Sequence, residues 1–103
     1  MVVELLRFTM PAELREEFIE CDGRIWNQAL SNHPGFVSKE LWADLHDPTQ
    51  VVIKVHWETY EHWKTFPMDL NAELTAKMCH LYTELSCEEY ELRGAPVPPR
   101  SAG

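Results

Sequence analysis

The chain has 103 residues, of which 9 are Lys or Arg and 17 are Asp or Glu, so its formal net charge is −8. This length predicts one domain. Hydrophobic residues make up 45% and charged residues 25%, which is typical of a globular protein and not of a disordered one. The nine basic residues are scattered along an acidic chain, which argues against a nucleic-acid partner, because phosphate recognition needs clustered Lys and Arg.

The apolar runs and the cysteines of the sequence indicate in which cellular compartment the protein is expected. No apolar run approaches the roughly 18–20 residues of a membrane span, and the N-terminus shows no basic region followed by a long apolar one. The three cysteines are odd in number and widely spaced, which favours reduced thiols. We therefore expect a cytoplasmic protein with no membrane partner. The five histidines show no ligand spacing and there is no CxxC motif, so no metal site is expected.

The first half of the chain reads as a strand followed by a helix. A strand is predicted over residues 2–10, with Val2, Leu6 and Phe8 on one face. A helix is predicted over residues 12–32, where the apolar residues recur at steps of three or four: Leu14, Phe18, Cys21, Ile25 and Ala29. The only reason the sequence offers for Gly23 in its middle is close packing. His33-Pro34-Gly35 then predicts a turn.

Two further strands are predicted over residues 36–42 and 51–57, and the polar loop between them indicates a hairpin. Phe36 and Trp42 are expected on one face of the first of these strands. Thr59 is the predicted N-cap of a short helix. Asp69 is the predicted cap of a second helical stretch, whose apolar stripe is Leu70, Leu74, Met78 and Leu81. Residues 85–92 read as a last, acidic strand.

The order strand, helix, strand, strand, helix, strand predicts an α+β fold of the ferredoxin-like βαββαβ type, with a four-stranded antiparallel sheet. We expect one domain over residues 1–93 and an extended or disordered tail over residues 94–103. Helices cover only one face of such a sheet, and the other face also carries Val, Leu and aromatic residues. A homodimer that packs sheet against sheet would cover that face.

Several short motifs resemble one family. They are His33-Pro34-Gly35-Phe36, Lys39-Glu40-Leu41-Trp42, Asp47-Pro48, and the stretch from Val51 to Thr59 with Trp63 following. Together they are similar to the antibiotic biosynthesis monooxygenases of the dimeric α+β barrel superfamily, over residues 2–92, and most of all to a subgroup of short proteins best known from cyanobacteria. The resemblance implies a dimeric α+β barrel with a ligand pocket inside each subunit, between sheet and helices.

Haem-degrading members of the superfamily use an Asn on the first strand, together with a Trp and a His on later helices. This chain has no Asn in residues 2–10, which argues against haem degradation. Near the other two positions it offers Phe66 or Trp63, and His80. The resemblance therefore implies an oxidoreductase without a bound cofactor, and haem binding without degradation is a third hypothesis.

Two residues are candidate catalytic bases. Asp22 lies in the apolar stripe, four residues after Phe18 and four before Trp26, and a buried carboxylate with a raised pKa can abstract a proton. The alternative is a hydrogen-bonded Asp at the edge of the helix. His56, on the strand face opposite Trp57, is the second candidate, because imidazole titrates near neutral pH. The alternative for His56 is a solvated dimer groove.

We expect the following residues to contact a ligand: Trp26, Trp57, Trp63, Phe66, Met78 and His80. For the tryptophans, packing in the core or at a dimer interface is the alternative. The leading hypothesis is a cofactor-independent, monooxygenase-like enzyme that acts on a small apolar or aromatic molecule. The second is a non-catalytic dimeric module that binds a small ligand or serves a structural role.

Overall fold

Four antiparallel strands form a single sheet in the computed structural model, which describes residues 1–100. The strands are β1 (Val2–Thr9), β2 (Phe36–Ala43), β3 (Gln50–Trp57) and β4 (Glu84–Glu91), and their spatial order is β2-β3-β1-β4. Helices connect β1 to β2 and β3 to β4, so the predicted ferredoxin-like βαββαβ fold is confirmed.

Three α-helices cover one face of the sheet: α1 (Arg15–Ser31), α2 (Tyr60–Lys64) and α3 (Met68–Ala76). The predicted cap at Thr59 is confirmed, because its hydroxyl accepts a hydrogen bond from the His62 backbone N–H at 3.1 Å. The prediction that Asp69 caps the next helix is wrong. Pro67, with φ −59°, is the N-cap of α3 and Asp69 lies in the first turn, since the chain re-enters a helix directly after the proline.

The core lies between the sheet and the helices. Alternate residues of β3 are between 0% and 2% exposed on the helix-facing side: Val51, Ile53, Val55 and Trp57. Val52, Lys54 and His56 point to the other face, as the alternation predicts. The two faces are therefore chemically distinct, and only one of them is covered within the chain.

A β-bulge in β2 changes which residues share a face. The pairing of β2 with β3 shifts between Phe36 and Ser38, so that Phe36 lies opposite Trp57 whereas Trp42 lies opposite Val52. The prediction that Phe36 and Trp42 share a face is therefore wrong. Phe36 packs edge-on against Trp57 with ring centroids 5.9 Å apart. Trp42 lies on the other face and is 44% exposed.

The turn before β2 is fixed by close contact with α2. Gly35 has φ +85°, and a Cβ atom built on it would lie 2.1 Å from the His62 Cγ atom. His33 Nε2 lies 2.8 Å from the His62 carbonyl oxygen. The turn therefore anchors the helix that follows β3, and this helix forms one wall of the site described below.

Residues 95–100 contain no helix or strand, and the last residues of the expected tail, 101–103, lie outside the described part of the chain. Between residues 1 and 100, no helix has the length and apolar character that crossing a membrane requires.

Candidate functional site

A cavity of about 380 Å³ lies between the sheet and the helices. All four strands contribute to its floor, and α1, α2 and α3 contribute to its walls. A volume of this size is at the lower end of the range for small-molecule sites. The resemblance placed a ligand pocket between sheet and helices, and the cavity occupies that position.

Five of the six residues expected to contact a ligand line this cavity. They are Trp26, Trp57, Trp63, Phe66 and Met78. The sixth, His80, is exposed and is not among the lining residues. It lies in the 3₁₀ turn Cys79–Leu81, where the neighbouring Leu81 is 1% exposed and takes the inward position. The structure therefore does not bring His80 to the cavity.

Helix α1 presents a stripe with a spacing of four residues to the cavity: Phe18, Asp22, Trp26 and Leu30. The sequence instead centred the apolar stripe on Cys21, Ile25 and Ala29, which are only partly buried. Asp22 is 5% exposed and is the one buried charged residue within residues 1–100. The helix thus places a carboxylate among aromatic side chains.

Lys39 of β2 pairs with this carboxylate. Its Nζ donates a short hydrogen bond to Asp22 Oδ2 and a second one, of 2.7 Å, to Asn27 Oδ1. The Asp22 and Lys39 side chains are 7% and 10% exposed, so the ion pair is buried. Burial raises the pKa of Asp22, and the charge and hydrogen bond of Lys39 lower it without fully offsetting burial.

Asp22 combines features of both sequence-based alternatives. The carboxyl group is buried and faces a cavity, yet it is neither unpaired nor bonded to the backbone. Within residues 1–100, Oδ1 makes no hydrogen bond while Oδ2 binds Lys39. One carboxylate oxygen is thus available to a ligand. Lys39 belongs to one of the family motifs, but its sequence pattern indicates no role, since a strand lysine is normally solvated.

Glu4 of β1 is a second carboxyl group in the cavity wall. Its Oε1 accepts a hydrogen bond of 3.1 Å from the Trp57 indole Nε1–H. The pKa of Glu4 is raised, and burial is the largest cause. The hydrogen bond from Trp57 and the charge of Lys64 lower this pKa but do not offset burial. The sequence signal for Glu4 was its place on the same strand face as Leu6 and Phe8.

His56, the other candidate base, lies on the opposite face of the sheet from the cavity. Its Nε2 atom is buried and has no hydrogen-bond partner within the described chain. Burial, with a smaller contribution from the charge of Lys54, lowers the pKa of His56. Asp22 and His56 therefore do not form one site, and a ligand in the cavity meets only Asp22.

Over residues 1–100, no group of three or more His, Cys, Asp or Glu side chains is placed to hold a metal ion. The charged groups that line the cavity are two carboxyl groups, Glu4 and Asp22, each near a lysine from a neighbouring element, and its other polar lining residues are Asn71, Thr75, Tyr82 and Cys87. They are surrounded by aromatic and aliphatic walls. Such a site is suited to binding a planar apolar molecule and to moving a proton on it.

Solved structures share this architecture. A monooxygenase from Streptomyces coelicolor, solved with nanaomycin D, is 21% identical, with 95% of this chain and 92% of that chain covered and a TM-score of 0.82. A Deinococcus radiodurans protein that carries an antibiotic biosynthesis monooxygenase description is 22% identical, with 96% and 99% covered and a TM-score of 0.79. SnoaB, a cofactor-independent oxygenase from Streptomyces nogalater, is 18% identical, with 91% and 94% covered and a TM-score of 0.77.

At these identities the structures establish the fold alone, and among curated proteins none matches the sequence. The family is established by the sequence itself. The model of the family described as antibiotic biosynthesis monooxygenase matches residues 1–66, which include β1, α1, the hairpin, Asp22, Lys39 and Trp63. The chain therefore belongs to the antibiotic biosynthesis monooxygenase family.

Proposed function

We propose that the protein is a cofactor-independent monooxygenase that binds a small hydroxylated aromatic molecule in its cavity and uses Asp22 as the base. The observation that carries this proposal is the buried Asp22–Lys39 pair in the wall of an aromatic cavity. Family membership supports an oxygenase. The similar structure of SnoaB, described as a cofactor-independent oxygenase, supports the absence of a bound cofactor.

The cavity walls suit a planar ligand. Trp26 and Phe66 lie with ring centroids 6.1 Å apart and an interplanar angle of 31°, and Trp57 and Trp63 contribute further aromatic surface. Aromatic side chains contribute most through the large apolar area that they remove from water. The walls thus supply affinity for the ring system, and the polar groups orient it.

Asp22 starts the reaction in this proposal. Oδ1 accepts the proton of a ligand hydroxyl group, and the negative charge moves from the carboxylate to the aromatic oxygen. The charge of Lys39 stays in place and stabilises the new anion. The buried lysine therefore both favours the ionised form of Asp22 before the transfer and stabilises the product of the transfer.

The aromatic anion then reduces molecular oxygen. With 1,4-dihydroxynaphthalene as a probe, one oxygen atom forms a C–O bond in place of a ring hydrogen, which gives 2-hydroxy-1,4-naphthoquinone. The second oxygen atom leaves as water with two hydrogens from the substrate. All electrons come from the substrate, so the step needs no added reductant and no bound cofactor.

We also propose that the protein is a homodimer, paired through the uncovered sheet face. On that face Trp42 and Tyr90 are 44% and 48% exposed, beside the buried Val3 and Leu5. The buried Nε2 of His56 has no partner there within residues 1–100. A second copy would cover the aromatic residues and offer donors or acceptors to His56.

The second candidate, a non-catalytic binding module, is favoured by the pairing of Asp22 itself, since a buried ion pair also fixes α1 against β2. Oxygen consumption with 1,4-dihydroxynaphthalene separates the two. The enzyme consumes oxygen faster than the uncatalysed reaction. After the uncatalysed rate is subtracted, Asp22→Asn lowers the remaining rate at least ~100-fold, as expected for loss of a general base. Asp69→Asn, at an exposed position in α3, is the matched control and keeps the rate. A binding module gives the uncatalysed rate with all three proteins.

A further inference from the structure

Glu4 and Lys39 lie in one row across the floor of the cavity. Val55 of β3 pairs with Glu4 on one side and with Lys39 on the other, so all three share the helix-facing side of the sheet. Neighbouring strands are about 4.8 Å apart, which separates the Glu4 and Lys39 backbones by about 10 Å. This backbone separation is comparable to the length of a two-ring aromatic molecule that carries a polar group at each end.

The Glu4 carboxyl group has one oxygen available. Oε1 is occupied by the Trp57 indole N–H, and within residues 1–100 no donor is hydrogen-bonded to Oε2. The lysine that influences Glu4 is engaged elsewhere, because Lys64 Nζ lies 3.8 Å from Glu89 Oε1 and 4.0 Å from the centre of the Trp63 ring. The indole therefore orients the carboxyl group through Oε1, and in the part of the chain that the structure describes Oε2 is left available to a ligand.

We propose that Glu4 is a specificity-determining residue of the cavity, which binds a hydroxyl or amino group at the end of the ligand opposite to the group held by Asp22 and Lys39. This inference rests on the proposed function in that both concern the same cavity. A carboxyl group removed from water gains a partner when a ligand donor reaches it. The raised pKa of Glu4 agrees with such removal from water.

Binding of three probes tests the proposal, measured by quenching of tryptophan fluorescence in the full chain. The probes are naphthalene, 1-naphthol and 1,5-dihydroxynaphthalene. We expect the wild-type protein to bind the diol about tenfold more tightly than 1-naphthol, which is the effect of about one additional hydrogen bond to a carboxyl group. In Glu4→Leu the two affinities should lie within about twofold, because residue 4 can then no longer accept a hydrogen bond from the second hydroxyl group.

Two variants control for indirect effects. Glu73→Gln breaks the exposed Lys77–Glu73 pair of α3, outside the cavity and away from the uncovered sheet face, and should keep the tenfold preference. Glu4→Gln retains a carbonyl acceptor and should keep part of the preference for the diol over 1-naphthol. The NMR resonance of the Trp57 indole N–H should still shift when the diol is added to this variant. A diol preference that is unchanged in Glu4→Leu overturns the role of Glu4, and so does a wild-type protein without any preference.

The proposal and the proposed function fail in different ways. If the diol preference depends on Glu4 but oxygen is not consumed, the cavity binds as inferred and the enzymatic function is wrong. If oxygen consumption depends on Asp22 but the diol preference is the same in the wild type and in Glu4→Leu, the proposed function holds and the proposed role of Glu4 is wrong. If naphthalene, 1-naphthol and the diol all fail to bind the wild-type protein, both are wrong.

Discussion

Asp22 and Lys39 together separate the internal cavity from a shallow groove on the outer side of α1 and β2. Both residues line the cavity and both line the groove, which also contains Asn27 and Ser31. The ion pair is therefore a thin wall with the ligand site on one side and solvent on the other. A proton that Asp22 takes from a ligand has a short route to water through this wall.

The buried pair predicts a strong effect of single substitutions on stability. Lys39→Met leaves a buried carboxylate without its partner, and Asp22→Leu leaves a buried ammonium group. Each should lower the free energy of unfolding by about 3–5 kcal/mol, as for other broken buried pairs. The double variant should recover most of the loss, because no unpaired charge remains. Urea unfolding of the four proteins measures this coupling, and strictly additive losses would contradict it.

Glu4 predicts a specific pH dependence of stability. Burial raises the pKa of Glu4 above its ordinary value of 4.5. The contribution of Glu4 to the free energy of unfolding is therefore fully present below pH 4.5 and is lost as the pH rises through the raised pKa. Glu4→Gln does not titrate and removes this loss. Unfolding should therefore show the variant gaining stability relative to the wild type as pH rises from about 4 to about 7. A difference that is constant over this range would contradict the raised pKa.

Two glycine substitutions should have opposite effects. Gly35→Ala combines a positive φ with a clash against the His62 side chain, so it should cost at least ~2 kcal/mol and loosen α2. Gly23→Ala is the matched control in α1, where an added Cβ would meet only Asn27 Nδ2 at 3.6 Å. That is an ordinary contact, so close packing does not explain Gly23, and alanine should stabilise the helix by about 0.5–1 kcal/mol. Thermal unfolding distinguishes the two.

The uncovered sheet face predicts the oligomeric state. Sedimentation velocity at micromolar concentration should give twice the 12.0 kDa mass of one chain. Leu5→Arg places a charge in the centre of this face and should shift the protein to monomers, whereas Val97→Arg, at a position 93% exposed in the tail, should not. A wild-type protein that sediments as a monomer would contradict the sheet-to-sheet pairing.

Local rules of the sequence predicted much of the fold. Alternation defined β3, and the hydroxyl of Thr59 marked the start of α2. The bulge near Phe36 was missed because it arises from pairing with β3 and leaves no trace in the alternation of β2 itself. The sequence thus predicts individual elements well but not the register between them.

The candidate site was predicted less completely than the fold. Asp22 was found because a carboxylate interrupts an apolar stripe with helical spacing. Lys39 and Glu4 were missed because a single charged residue in a strand is normally solvated, and only the cavity between sheet and helices shows that both of these residues line it. His80 was selected by resemblance, and the 3₁₀ turn around it directs Leu81 inward instead.

The central claim is that Asp22 directs oxygen into a ligand bound in the cavity. Its most direct test is mass spectrometry of the products formed from 1,4-dihydroxynaphthalene under ¹⁸O₂, with metal-free wild-type protein and with Asp22→Asn. The account predicts 2-hydroxy-1,4-naphthoquinone with one ¹⁸O atom from the wild type, and only unlabelled 1,4-naphthoquinone from the variant. Unlabelled naphthoquinone from both proteins, or equal labelling by both, would contradict it.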